Sequence, residues 1–373
     1  DGIEIDGWTM KSGDMAGPGS CRVLLGVPTI DAAVLEVARG GLLREGLGYD
    51  RNDVAVVTNV SGDHLGLDGI ETVEQLAATK GVIVEAVPRR GTAVLNADDP
   101  LVARMARKCR GRVAFTSTAT SRMAAGRLTV ERHVADGNLG GLVEGEPGRE
   151  RLVVRMGETT LIDMPVSEIP STWGGAAWMN VSNALQAACA AIALRVRPED
   201  VEAGLRTFDT AFDTAPGRLN RVEVEGREVI IDYAHNVEAL RELGQVLARV
   251  RGDRRTIGVV STPGDRRRDD QRAFGAVAGS LFDELVVAEP NVRGRAPGET
   301  AALLMEAART GLDGGEPRVS TTAFIPDERE AALTAVSTAR PGDLVVLCVA
   351  HAGPVYEALT RARSRGRSRA ALS

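Results

Sequence analysis

Lysine is almost absent: Lys11, Lys80 and Lys108 are the three lysines in 373 residues, and arginine carries nearly all of the positive charge. The bias reads as a record of base composition, and it makes any lysine in a chemical setting worth weighing. Cysteine is also scarce. Cys21, Cys109, Cys189 and Cys348 lie far apart, form no C-x-x-C pair and have only four histidines to help them. That spacing excludes a structural zinc site and a disulfide framework, leaving small buried hydrophobes in a reducing compartment. No run approaches the ~18 consecutive apolar residues of a membrane helix. The opening DGIEIDGWTMKSGD has no charged-then-apolar secretion pattern, so the expectation is a cytoplasmic chain. An excess of positive charge is missing as well. A formal charge of −6 and a pI near 5.5 argue against a general grip on nucleic acid.

What is present is a globular composition, 43% hydrophobic and 26% charged, over a length that supports two or more cores. From Asp31 to Ser117 short apolar runs alternate with helical patterns: DAAVLEV, DVAVVTNV, a helix from about Val73 to Val87, TAVLNADD, a further helix and RVAFTS. Strand and helix in alternation imply a mostly parallel sheet. Between about Arg127 and Pro170 the texture changes to LTVERHV, RLVVRMG and TTLIDMPV between glycine-rich turns, which predicts appended antiparallel strands. Two alanine-rich helices follow, near Ala176–Leu194 and Pro198–Phe208.

The turn-rich DTAFDTAPG interrupts this texture around Thr210 to Pro216, and the expected domains are 1–214 and 215–373. After the break a hairpin, RVEVEGREVIIDYAHN, turns at Glu225 and Gly226. Helix and strand then alternate again through TIGVVST, ELVVAE and DLVVLCVA, a second parallel α/β unit of Rossmann-like type. The basic tail from about residue 361 has lost its apolar period and is expected to fray.

Ligands in parallel α/β sheets collect at the C-terminal ends of strands. Three such ends carry polar residues: Glu36 and Arg39 in VLEVARGG, Asn59, Asp63 and His64 in VVTNVSGDHLG, and Asn96, Asp98 and Asp99 in VLNADDP. Each alone reads equally as a turn or helix cap. Together, a carboxylate at Glu36 and an imidazole at His64 suit a hard divalent cation beside phosphate oxygens, and magnesium with ATP is the economical choice. A helix-capping role for His64 is the alternative.

These blocks, with APGRLN…DYAHN, PGDRRRDD and VRGRAPGE, resemble the cyanophycin synthetase branch of the Mur ligase family over almost the whole chain. The resemblance implies a Mur-type central ATPase domain followed by a Rossmann-like C-terminal domain. It implies an ATP-dependent ligase in which a carboxylate is phosphorylated and an amine then displaces phosphate, joining free arginine to the β-carboxyl of aspartate in an aspartate–arginine polymer. It also implies a homo-oligomer. Carried over residue by residue, Glu36 and His64 fall where the family holds magnesium, with Asn59 and Asp63 in the same loop. Asn180 and Asn183 of WMNVSNALQAA match the adenine-binding segment, while Arg218, Asp232 and His235 match phosphate and ribose contacts. Lys80 stands near the position of a carbamylated lysine, at a slightly longer interval from His64; in a chain that otherwise chooses arginine, an amine there suggests a chemical requirement. A solvent-facing lysine remains the alternative.

For the substrate polymer, Arg39, Arg44, Arg293 and Arg295 are the cationic candidates, and Glu299 or Glu289 the acids for incoming arginine. Ordinary surface roles compete for each arginine. The departure from the family is the phosphate loop, G-x-x-x-x-G-K-S/T: Lys11 precedes Ser12, but no glycine-rich turn stands before it. Since one well-placed electrostatic donor is typically worth ~3–4 kcal/mol of barrier, the 373 residues alone are expected to be inactive. A non-catalytic scaffold and a Mur-type ligase of other substrate are the competing functions.

Overall fold

The computed structural model describes residues 2–5, 8–12, 15, 17–63, 65–311 and 316–370; side chains at 4, 9, 11, 12 and 362–370 are not described. The chain divides into two compact units, 1–166 with 181–205, and 167–180 with 206–373. The break in sequence texture at 214–215 therefore has the contact division at 205–206 for a neighbour.

The first unit opens with an antiparallel hairpin, β1 (Gly2–Ile5) and β2 (Trp8–Ser12), and a helix α1 (Pro18–Leu25), none of which the sequence pattern announced. Lys11 and Ser12 lie in β2. Then come α2 (Arg39–Glu45), β3 (Val54–Val57), α3 (Val73–Lys80), α4 (Val82–Glu85), β4 (Thr92–Asn96), α5 (Pro100–Arg104), β5 (Arg112–Ser117), α6 (Ala125–Ala135), β6 (Leu139–Glu144), β7 (Arg151–Met156) and β8 (Thr159–Pro165). The sheet order is β3-β4-β5-β6-β7-β8. Its first four strands are parallel, and β7 and β8 continue antiparallel. Helix α7 (Trp178–Ala193) begins in the second unit and ends in the first, where α8 (Pro198–Thr207) starts.

Local chemistry explains the breaks. Thr72 and Gln75 form a capping box at the start of α3, and Gly81 separates α3 from α4 where one helix was expected. Asp99 caps α5, with Pro100 at its first position.

Two expected strands are corrected. DAAVLEV forms no strand: residues 32–38 carry no regular structure, β3 ends the sheet, and Val34 is 97% exposed. An apolar run becomes a strand only where a neighbour supplies its hydrogen bonds. LTVERHV belongs to α6, because Val130 and Val134 are buried four residues apart, the spacing of a helix face.

The second unit contains β9 (Asn220–Val224), β10 (Arg227–Asp232), α9 (Val237–Val250), β11 (Thr256–Val260), α10 (Arg268–Leu281), β12 (Glu284–Val287), α11 (Glu299–Thr310), β13 (Thr321–Phe324), α12 (Glu328–Thr338), β14 (Leu344–Cys348) and α13 (Ala352–Ala370). Its sheet runs β13-β12-β11-β14-β10-β9, parallel except for β9. Glu225 and Gly226 turn the hairpin with φ of 51° and 76°, the left-handed pair that a tight two-residue turn requires. Both β11 and β14 are buried throughout, as continuous apolar runs predict for the centre of a parallel sheet. Backbone helix runs to Ala370.

Candidate functional site

In the first unit the strand ends of β3 and β4 and the last turn of α3 converge. Lys80 Nζ donates to the Asn59 carbonyl at 3.3 Å. Burial holds its ammonium below the usual lysine range, while the carboxylates of Asp63 and Asp99 pull the other way. Asp99 accepts from Val60 N at 2.7 Å and from the first amides of α5, so one carboxylate ties the 58–63 loop to the end of β4. Asn96 donates to the Thr58 carbonyl at 2.9 Å, and Asp98 accepts from Ser117 Oγ at 2.6 Å and Thr118 N at 2.8 Å. Capping and positioning are thus the roles taken by Asn96, Asp98 and Asp99.

Arg39 reaches the far end of the same loop, donating to the Leu67 carbonyl and to Asp68, each at 2.9 Å. With its side chain only 10% exposed, Arg39 fastens the segment behind Glu36 to the loop after Asp63. Arg44 is exposed and lies over Gly40. Glu36 is exposed in the irregular segment, and His64 lies outside the described residues. Among the described residues no three His, Cys, Asp or Glu side chains gather as a metal cluster. Glu36 offers the hard carboxylate oxygen that magnesium takes.

The second unit brings together a different set. The Arg218 guanidinium sits 5.1 Å from the centre of the Tyr233 ring, which itself packs edge-on against the His235 imidazole at 4.6 Å. His235 Nδ1 donates to the Tyr233 carbonyl at 2.9 Å, which fixes that nitrogen as the protonated one. Asp232 accepts from Leu219 N at 3.0 Å and Ala234 N at 2.9 Å, joining the APGR turn to the end of β10. Burial pushes its carboxyl up, against those amides and the charge of Arg218. Asn180 donates to the Ser171 carbonyl at 2.7 Å and anchors the start of α7; Asn183 belongs to the first unit and is exposed. Tyr233 is the member of this set that the sequence reading passed over; its signal is its place between Asp232 and His235.

The arginine-rich loops pair internally. Arg293 contacts Asp265 at 2.8 Å, and Arg295 contacts Glu299 at 3.0 Å and the Arg266 carbonyl at 2.9 Å. Glu299 also meets Arg268 at 3.1 Å, so a ligand at Arg295 or Glu299 has to compete with these pairs. Glu289 is buried and accepts from Gly298 N and Ala301 N, which makes it an anchor for the start of α11.

A further carboxylate escaped the sequence reading altogether. Glu328 is 4% exposed. It accepts from Ser261 Oγ at 2.8 Å and Ala350 N at 2.7 Å through one oxygen, and from His351 N at 3.1 Å and His351 Nδ1 at 3.0 Å through the other. It bridges the ends of β11 and β14 beside a cavity of about 600 Å³. The only sequence signal is His351 just beyond a buried strand.

Comparison with known proteins agrees with this architecture. The Mur ligase middle domain matches residues 23–191, and the Mur ligase, glutamate ligase domain matches residues 217–351. A cyanophycin synthetase of Crocosphaera subtropica is 38% identical over 348 residues, 93% of this chain and 38% of its own length. A UDP-N-acetylmuramoyl-L-alanyl-D-glutamate–2,6-diaminopimelate ligase of Gloeobacter violaceus is 30% identical over 317 residues, 84% of this chain and 57% of its own. Among solved structures, E. coli FolC in complex with DHPP and ADP superposes with a TM-score of 0.55 at 19% identity, covering 85% of this chain and 62% of that one, a likeness of fold. The chain thus spans well under half the length of the cyanophycin synthetase it matches. Carrying the middle and glutamate-ligase domains in succession over parallel α/β units, the chain belongs to the Mur ligase family.

Proposed function

We propose that the chain is the amide-forming part of an ATP-dependent acid–amino-acid ligase that joins arginine to the β-carboxyl of aspartate in a polyaspartate backbone. The observation that carries this reading is the similarity to cyanophycin synthetase over 93% of the chain, set against 30% identity to the diaminopimelate ligase. In the proposed reaction a carboxylate oxygen attacks the γ-phosphorus of ATP and ADP leaves. The arginine amine then attacks the acyl carbon, sheds a proton and expels phosphate.

The chain's own groups have roles in this scheme. Arg218, steadied over Tyr233, offers a guanidinium to phosphate oxygens, and Asp232 and His235 stand beside it toward the ribose. Asn180 and Asn183 present an amide edge toward adenine. Glu36 and His64 would hold magnesium, which would supply neutralisation of phosphate charge. Lys80, its ammonium disfavoured by burial, is the candidate for carbamylation, since carbon dioxide adds to the neutral amine. Arg39 and Asn59 position the loop between these groups.

A non-catalytic scaffold is the competing reading. Calorimetric titration with Mg-ATP, alongside an assay for released phosphate, separates the readings. We expect the chain to bind Mg-ATP, Arg218→Ala to weaken binding about ten-fold as loss of a charged contact predicts, and phosphate release to stay at background. Normal turnover contradicts the inactivity of the isolated chain; a folded chain that binds no nucleotide contradicts the nucleotide assignment.

A further inference from the structure

Residues 210–219 lead the chain into β9, with Arg218 exposed near their end and Asn220 as the first residue of the strand. The backbone on either side of Arg218 is left-handed: φ is 71° at Gly217 and 50° at Leu219. Glycine adopts that region freely, whereas a leucine stays there when its surroundings over-determine it. The groups that hold Leu219 are visible. Its side chain lies in the core of the second unit, its N–H donates to Asp232 at 3.0 Å, and its carbonyl accepts from Thr210 Oγ1 at 3.2 Å.

Asn220 completes the hold. It is fully buried, and its side chain meets three backbone groups: Oδ1 accepts from Gly217 N at 2.6 Å, and Nδ2 donates to the carbonyls of Ala215 at 2.8 Å and Thr210 at 2.9 Å. The Ala215 carbonyl also accepts from Arg218 N at 3.2 Å. One carboxamide thus closes the turn on both sides of Arg218, through the chain after it and through hydrogen bonds to the residues before it. An amide suits the place because one group both accepts and donates twice; a carboxylate of the same shape would face two carbonyl oxygens. Farther out, Trp173 Nε1 donates to Thr210 Oγ1 at 3.1 Å, so the anchor beneath Asn220 is itself held.

We propose that Asn220 is a positioning residue for nucleotide binding, acting through Arg218 by fixing the 215–219 turn from which the guanidinium is presented to phosphate. The proposal rests on the ligase reading and adds to it a residue that works from beneath the turn. A guanidinium meets phosphate oxygens in pairs and in its own plane, so its effect depends on where the backbone presents it. A side chain carried on a loop keeps that geometry when packing and hydrogen bonds lock its support.

A double-mutant cycle in the 373-residue chain tests the assignment, with Mg-ATP affinity read by calorimetry and folding by urea midpoint. Asn220→Ala removes all three contacts, and Asn220→Asp keeps the shape while taking away the paired donors. Each is expected to weaken Mg-ATP binding about ten-fold, as Arg218→Ala does. Added to Arg218→Ala, either is expected to weaken it by less than about two-fold more, because both changes remove the same contact. A residue of general structural importance would instead give losses that multiply. Multiplying losses, or folded variants that bind like wild type, overturn the assignment and leave the ligase reading intact. A folded wild-type chain that binds no Mg-ATP overturns the ligase reading and the assignment with it. Should neither variant at 220 fold, Thr210→Val enters the same cycle: it keeps the volume, removes the hydroxyl that holds the Leu219 carbonyl, and is decided by the same outcomes.

Discussion

Lys80 shows how much a single residue's chemistry owes to its setting. Its rarity made it noticeable in sequence, but the groups that act on it, the Asn59 carbonyl and the carboxylates of Asp63 and Asp99, come from three other positions along the chain. With its folded value below the usual lysine range, Lys80 holds a proton in the unfolded chain that the folded chain has released, over the window between the lowered value and the ordinary one. Its contribution to stability therefore rises with pH through that window. The neutral amine is populated at lower pH than in an ordinary lysine, so a carbamate should form with ¹³C-bicarbonate. We expect a carbamate carbon signal in the wild-type chain and its loss in Lys80→Arg; identical spectra contradict the assignment. The cysteines give an independent check on burial. Burial pushes the Cys189 thiol up to about 12 and Cys348 well above the ordinary value, with Asp232 adding to the latter. A brief alkylation of the folded chain at neutral pH, read by mass, is expected to spare both and to modify the half-exposed Cys109. Early labelling of Cys189 or Cys348 contradicts the packing.

Elements were legible where pattern and neighbour agree. The apolar runs of β11 and β14 and the hairpin turn at Glu225 and Gly226 were readable because burial and φ demand those residue types. DAAVLEV misled because apolar periodicity cannot say whether a partner strand is in place, and LTVERHV because seven residues fit either period. The carboxylate of Glu328 was invisible because its partners at 261, 350 and 351 become neighbours only when the sheet forms. Two element-scale tests follow. Arg39→Met removes the contacts to Leu67 and Asp68 and should cost about 1 kcal/mol, with faster amide exchange around residues 65–70; unchanged exchange contradicts the tether. At the packing of α10 on α11, a Cβ at Gly275 would lie 2.6 Å from the Leu304 carbonyl oxygen. Gly275→Ala is therefore expected to lower stability by about 1–3 kcal/mol, measured by urea unfolding, and an unchanged midpoint contradicts the close approach.

On the scale of the whole molecule, two α/β units each gather a polar set at strand ends: Lys80, Asp63 and Asp99 in one, Arg218, Asp232 and His235 in the other. In the proposed ATP-dependent attachment of arginine to an aspartate polymer, each set has its own role. The chain matches 38% of the length of the Crocosphaera subtropica cyanophycin synthetase, so a chimera in which it replaces the matched part of that relative supplies the remainder in working form. With Mg-ATP, labelled arginine and an aspartate polymer, the account predicts label in the polymer with one phosphate released per arginine. A folded chimera that binds ATP yet leaves the polymer unlabelled, or that adds an amino acid to a muramyl peptide instead, contradicts it.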